Sequence, residues 1–168
     1  MKKMQIRVSK GFTLIELLVV VLIIGILSAV ALPQYTIAVK KTRTMSLLPL
    51  IRAIDSAEKV YYLETGAYTN QWDNLSIEMP GGASKSGNSM VYKNFVCYFQ
   101  GGSTGGPSDS SLYCACTDSD TPQIEKYFAS MQYICWAEQD SMAEKICKSI
   151  SGRSTPSGSG TFGNSYEF

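Results

Sequence analysis

Lys10-Gly11-Phe12-Thr13-Leu14-Ile15-Glu16-Leu17-Leu18-Val19-Val20 opens an apolar run that continues to Leu32, and Phe12 to Leu32 carries one charge, Glu16, in 21 residues. A helix rises about 1.5 Å per residue and a bilayer core is about 30 Å thick, so this run is long enough to cross. Lys2, Lys3, Arg7 and Lys10 precede it without an acid among them. Such bases stay cytoplasmic, which places everything after Leu32 on the far side of the membrane. Ala29-Val30-Ala31 offers a secretory cleavage pattern. The run exceeds the apolar core of about 7–15 residues typical of such signals, however, and Glu16 interrupts it. The stretch therefore reads as a membrane helix, not as a signal cut at Ala31.

Glu16 is the informative residue. A carboxylate in lipid is costly unless it has a partner or reaches water. Four residues into the run, Glu16 is close enough to the interface for the plain reading, a glutamate snorkelling to water. A cut after Gly11 supplies the other reading. It would leave the positive amine of Phe12 four residues from Glu16, and opposite charges attract strongly where the dielectric is low. A pair within one chain is possible; a pair between adjacent helices would set the stagger of an assembly.

Helical periodicity continues past the membrane run. Leu47, Leu50, Ile51, Ile54, Ala57, Val60 and Tyr61 recur at three- and four-residue spacing, an apolar stripe. Lys40, Lys41, Arg43, Arg52, Asp55, Glu58 and Lys59 are assigned to the other face, and Gly66 suits a left-handed cap. Phe12 to Thr65 would span about 81 Å if unbroken, too long for a small domain to cover. Pro33 and Pro49 interrupt the pattern, each removing an N–H and clashing with the carbonyl four residues back.

Beyond the helix, residues 66–75 read as a loop and Pro80 to Asn88 as a turn-rich linker. Met90 to Phe99 reads as a strand with a break near Asn94, Leu112 to Thr117 as a second and Tyr127 to Ala137 as a third, although Ile124 to Met131 also suits a helix. Gly101 to Ser111 reads as a flexible connection. Asp140 or Ser141 can cap a short helix running through Ile146. Gly152 to Gly163 is Gly/Ser-rich and expected to be mobile, with Phe162, Tyr166 and Phe168 available to dock back. Three or four antiparallel strands need an apolar cover, which Leu47 to Tyr61 provides. The fold class is α+β: a long N-terminal helix whose hydrophobic half protrudes and whose amphipathic half packs on a small antiparallel sheet.

Composition removes whole classes of function. The 168 residues hold 15 bases, 14 acids and no histidine. A net charge of +1 gives no field for nucleic acid, and the missing histidine removes Ser-His and Cys-His catalysis and His-ligated metals. No G-x-S-x-G elbow, P-loop or G-x-G-x-x-G is present. No cofactor, resident metal or enzymatic activity is expected. Asp118, Asp120 and Glu125 hold oxygen ligands of the kind calcium takes, but at incomplete spacing, and a solvated acidic turn is the simpler reading. Cys97, Cys114, Cys116, Cys135 and Cys147 cluster in the second half, as disulfides in an oxidising compartment would. Their odd count leaves at least one thiol free or bonded to another chain. Cys114-Ala115-Cys116 as a redox or metal pair is the sharper alternative, requiring a low-pKa thiol or further ligands.

From Lys10 through Val20 and on to Pro33-Gln34-Tyr35, the chain resembles the prepilin signal of type IV pilins and the related pseudopilins. Tyr61 to Tyr68 also resembles the end of the pilin helix and the start of its loop. The resemblance implies a leader of residues 1–11, removed between Gly11 and Phe12 by a prepilin peptidase that then methylates the Phe12 amine. It implies that Glu16 engages a neighbouring subunit's N-terminus, that residues 12–33 form a transmembrane and filament-core helix, and that residues 34–168 form an amphipathic helix with a disulfide-containing head. It implies that the helix bends at Pro33 in the free subunit and locally unwinds in the polymer; Gly25, Ser28 and Pro33 are weak helix formers, which places that extension between Gly25 and Pro33, and the missing N–H of Pro49 makes a second kink. It implies a Cys135–Cys147 bridge, since pilins often carry a disulfide-bounded loop there; Cys97 would then pair with Cys116 or Cys114.

The function implied is a structural subunit of a helical filament. Its partners are other copies of itself, the prepilin peptidase, an inner-membrane assembly platform and membrane lipid before assembly, and its destination is an extracellular pilus or a periplasmic filament. A pseudopilin of a type II secretion system is the alternative within the family. A membrane-anchored binding module that never polymerises is the rival from another class.

Overall fold

The computed structural model describes residues 11–78, 81–101 and 110–168. Residues 1–10, most of the segment expected as a leader, together with Pro80 and most of the Gly101 to Ser111 connection, lie outside the described residues. The chain divides into two compact units, one ending at Thr36 and the other beginning at Ile37.

Helix α1 spans Leu14–Met45 and passes through Gly25 and Pro33 without interruption. Nearly every side chain from Phe12 to Leu32 is exposed, Phe12 and Leu14 each at 81%. So continuous an apolar surface requires lipid or protein around it. Helix α2, Leu47–Thr65, follows after Ser46. The break falls at Ser46, three residues before Pro49, for a definite reason. Pro49 has no N–H for the Met45 carbonyl and its ring crowds that carbonyl, so the strain lands on residues 45–46. Pro49 itself lies in the first turn of α2, where a missing N–H leaves no bond unmade. Gly66 ends α2 at φ 77°, its N–H donating to Tyr62 O at 2.8 Å, a left-handed cap.

Among the described residues the second unit holds one antiparallel sheet of eight strands, not the three or four expected. In chain order they are β1 (Ser84–Ser86), β2 (Ser89–Tyr92), β3 (Phe95–Gln100), β4 (Ser111–Cys116), β5 (Gln123–Tyr127), β6 (Tyr133–Ala137), β7 (Gly158–Gly160) and β8 (Gly163–Glu167). Each of the first five pairs with the next, and β8 then joins β6 with β7 on its outer edge. Lys93, at φ 43°, turns the chain between β2 and β3, at the expected break. The single strand expected over Tyr127 to Ala137 is instead the tail of β5, a turn with Met131 at φ 57°, and β6. Neither is Ile124 to Met131 helical: Ile124 and Lys126 face the core between two strands, a period of two that short apolar runs disguise. Helix α3, Met142–Ser151, is capped by Ser141, whose side chain accepts from Glu144 N at 3.1 Å.

The core forms where α2 covers one sheet face. Leu47, Ile51 and Ile54 meet Met90, Phe99, Leu112, Ile124 and Phe128, all 0–2% exposed. Each such side chain contributes about 1.5–3 kcal/mol on burial. That surplus allows α2 to bury two acids as well, which corrects the expected solvent face: Asp55 and Glu58 are 7% and 0% exposed, whereas Val60, assigned to the stripe, is 53% exposed.

Gly152 to Gly163, expected to be mobile, contains β7 and leads into β8. Its docking depends on Gly163, at φ 103°, where an added Cβ would stand 2.3 Å from Ala137 O. Gly163→Ala is therefore expected to destabilise the head by about 2–4 kcal/mol, a strained φ plus an overpacked backbone contact. Urea unfolding of the variant against the parent checks it.

Candidate functional site

Thr13 and Glu16 start α1 as a reciprocal cap. Thr13 N donates to Glu16 Oε2 at 2.8 Å, and Glu16 N donates to Thr13 Oγ1 at 3.3 Å. Thr13 Oγ1 also donates to Glu16 Oε2 at 2.9 Å. T-x-x-E is the capping-box pattern, in which two unpaired amides at a helix start are satisfied by the two side chains. Glu16 thus has a local task that the sequence reading, intent on its charge, passed over, although the spacing of Thr13 and Glu16 displays it. One oxygen, Oε2, takes both bonds; Oε1 has no partner among the described residues. Gly11 and Phe12 lie in exposed non-helical chain immediately before this cap.

Gly25 has nothing within 4 Å of where a Cβ would be. Its absence of side chain serves no packing within this chain. Pro33 leaves the Ala29 carbonyl without its usual N–H, and Thr36 Oγ1 donates to Leu32 O at 2.7 Å.

In the second unit, bases from the end of α1 fasten the loop after β4 and the end of α3. Lys40 Nζ donates to Ser119 O at 2.6 Å, Lys41 Nζ to Ser149 Oγ at 2.6 Å, and Arg43 pairs with Asp118. Asp118, paired with Arg43, and Glu125 do not converge on one site with Asp120. Glu125 lies buried under the sheet's other face, where its oxygens accept from Ser111 Oγ and Trp136 Nε1, each at 2.7 Å. No metal-ligating cluster forms among the described residues.

Two disulfides brace this unit. Cys135 on β6 bonds Cys147 on α3. Cys97 bonds Cys114, not Cys116, because register decides: Cys97 stands opposite Cys114, with Cα atoms 4.1 Å apart, while Cys116 stands opposite Phe95. Cys116 is the free thiol and is half-buried. Burial, with Asp118 beside it, pushes that thiol up against the opposing pull of Arg43. A raised thiol is not the thiolate a redox Cys-x-Cys needs.

Glu144 ties α3 to β8. It accepts from Tyr166 Oη at 2.5 Å, Asn164 Nδ2 at 2.9 Å and Asp140 N at 2.9 Å. The Tyr166 and Asn164 bonds hold its carboxyl down to about 2, against burial, while burial and the Glu144 charge push the Tyr166 phenol up to about 12. Glu58 is the opposite case. Its Oε2 accepts from Thr69 N at 3.1 Å and its Oε1 is buried without a partner. Burial pushes its carboxyl up to about 7 despite the Thr69 bond, and Asp55, whose own partner is Lys59 at 2.8 Å, adds to the rise. A raised folded-state value gives stability that is full below about 4.5 and lost as pH rises through 7. Glu58→Gln keeps the Thr69 bond and removes the titration. It is expected to stabilise the head by about 2–3 kcal/mol at pH 8 and negligibly at pH 4, as thermal melts at the two pH values will show.

Residues 6–32 match the family model for the prokaryotic N-terminal methylation motif. The chain is 39% identical over 79 residues to a type IV major pilin protein of Neisseria gonorrhoeae, covering 47% of this chain and 46% of that protein. It is 42% identical over 62 residues to a fimbrial protein of Eikenella corrodens, covering 37% and 40%. To a fimbrial protein of Pseudomonas aeruginosa it is 43% identical over 58 residues, covering 34% and 38%. The chain thus spans less than half the length of the curated relatives it matches. No solved structure matches it. The chain is thus similar to type IV pilin and fimbrial proteins over less than half of its length, with the methylation-motif match at its apolar N-terminus.

Proposed function

We propose that the chain is a structural subunit, not an enzyme, of a type IV pilus-like helical filament. It is made as a precursor held in the inner membrane by residues 12–33, with residues 1–11 as leader and 34–168 as the head outside. A prepilin peptidase cuts between Gly11 and Phe12 and methylates the Phe12 amine. An assembly platform in that membrane then adds the subunit to the growing filament, where the neighbouring N-terminal amine meets Glu16.

The single observation that carries this reading is the exposed apolar surface from Phe12 to Leu32 with one carboxylate near its start. Lipid covers that surface in the precursor, and packed copies of the same helix cover it in the filament. The Oε1 of Glu16 that its own cap leaves unused is the atom available to a second chain. The two disulfides suit a head exported to an oxidising compartment. Gly25 and Pro33 are weak points of helical bonding, so the stretch between them is where the helix extends in the polymer. The relatives named as major pilin and fimbrial proteins point the same way.

Immunogold imaging of filaments sheared from expressing cells tests the reading. Filaments labelled along their length are expected. Label confined to membranes, with no filament, overturns it in favour of a membrane-anchored module.

A further inference from the structure

The head carries two depressions of opposite charge at the two ends of α3. At the N-terminal end is a cavity of about 190 Å³ lined by Asp120, Gln123, Trp136, Glu138, Ser141 and Phe162 among others. Asp120 and Glu138 are exposed, neither is in a salt bridge among the described residues, and no base lines the cavity. The Trp136 ring is held through its Nε1 bond to Glu125 and meets Phe162 edge-on at 6.4 Å. Gln123 Oε1 is a buried acceptor with no donor among the described residues. The cavity is therefore an aromatic wall with three acceptor groups and net negative charge. It is smaller than the roughly 300–1,000 Å³ of a small-molecule site, so it suits the head of one side chain. A guanidinium answers each feature: it stacks on aromatic rings, offers five N–H donors and sheds water readily.

The other end of α3 supplies one. Lys145, Lys148 and Arg153 line an open cleft with no acid among its lining residues. Arg153 follows the cap Gly152, is exposed, and donates through Nε to Glu167 O at 3.1 Å. Its Nη atoms have no partner among the described residues. The ten residues of α3 set the two depressions about 15 Å of helix apart, so Arg153 does not fill the cavity of its own chain.

We propose that Arg153 of one copy inserts between the Trp136–Phe162 wall and the Asp120 and Glu138 carboxylates of a second copy, forming a contact between heads in the filament. This rests on the filament reading above and names surfaces that it leaves open. Two different patches meet, so the contact is heterologous and repeats without closing, as a filament requires. Lys145 adds attraction toward the acidic rim that salt screens, whereas Lys148 is paired with Glu144 of its own helix at 3.3 Å.

The test uses the full chain in cells that assemble it, scoring the yield of sheared filaments and the salt concentration at which they dissociate. The variants are Arg153→Glu, Glu138→Arg and the two combined; Asp120 is left alone because its φ of 56° is strained. Each single reversal is expected to lower filament yield at least about tenfold, the order expected for losing one partner of a desolvated charge pair. The combined variant is expected to regain most of it, because the pair re-forms with its polarity exchanged. Full yield from either single variant overturns the contact, and so does a loss that the combination fails to repair. Non-reducing electrophoresis of membrane-extracted subunits shows whether both disulfides, and hence the head, are intact. Absence of filaments from the unmodified chain would instead defeat the subunit reading itself.

Discussion

Glu16→Gln is expected to yield a normally processed subunit that fails to enter filaments, lowering filament yield at least about tenfold. The choice of Gln matters. Glu16 closes a capping box with Thr13, and Gln fills that position in capping boxes almost as well. Glu16→Ala removes cap and charge together, so its failure alone would not say which mattered. The amide keeps the cap and cannot pair with an amine in a low-dielectric core. If Glu16→Gln assembled normally while Glu16→Ala did not, the residue would be a helix cap and nothing more. Mass measurement of the variant subunit confirms that processing occurred, and counts of sheared filaments give the result.

The second large effect concerns α3. Replacing Cys135 and Cys147 together by Ala is expected to cost the head about 3 kcal/mol, the chain-entropy value for a loop of this size. Without the bridge, α3 relies on the bonds Glu144 makes to Tyr166 and Asn164. Those bonds depress the Glu144 carboxyl to about 2. A depressed value means that the stabilisation is present above about 4.5, the ordinary carboxyl value, and is lost as pH falls toward 2. The bridgeless variant should therefore lose its α3 helicity and tertiary signal over that window, while the bridged protein is largely unmoved. Acid titrations of the two proteins by near- and far-ultraviolet circular dichroism compare them directly. Coincident titration curves would mean that Glu144 does not hold α3.

The long helix and the cysteine-braced head were legible for physical reasons. Twenty-one residues with one charge have few alternatives to a membrane helix, and the 47-51-54 spacing declares a buried stripe. What escaped reading depends on partners far along the chain. Glu58 continues the stripe from Ile51 and Ile54, but its charge argued for solvent; only the surplus of surrounding apolar burial, absent from any local window, puts it inside. The choice between Cys114 and Cys116 needed the register of β3 on β4, which one residue of slip would change. Strands β7 and β8 are short and rich in Gly and Ser, a composition that looks like a loose tail. Their order comes from pairing with β6, from Tyr166 buried under α3 and from Gly163 fitting against Ala137. At the N-terminus, Thr13 and Glu16 show that a residue chosen for its charge can hold a second task in the backbone.

Intact-mass and peptide mass spectrometry of the subunit isolated from native filaments is the most direct measurement. A chain beginning at Phe12 and heavier by one methyl group on its amine is predicted. A chain that still begins at Met1, or one that begins at Leu32 after cleavage behind Ala31, would contradict a methylated N-terminus meeting Glu16 of its neighbour.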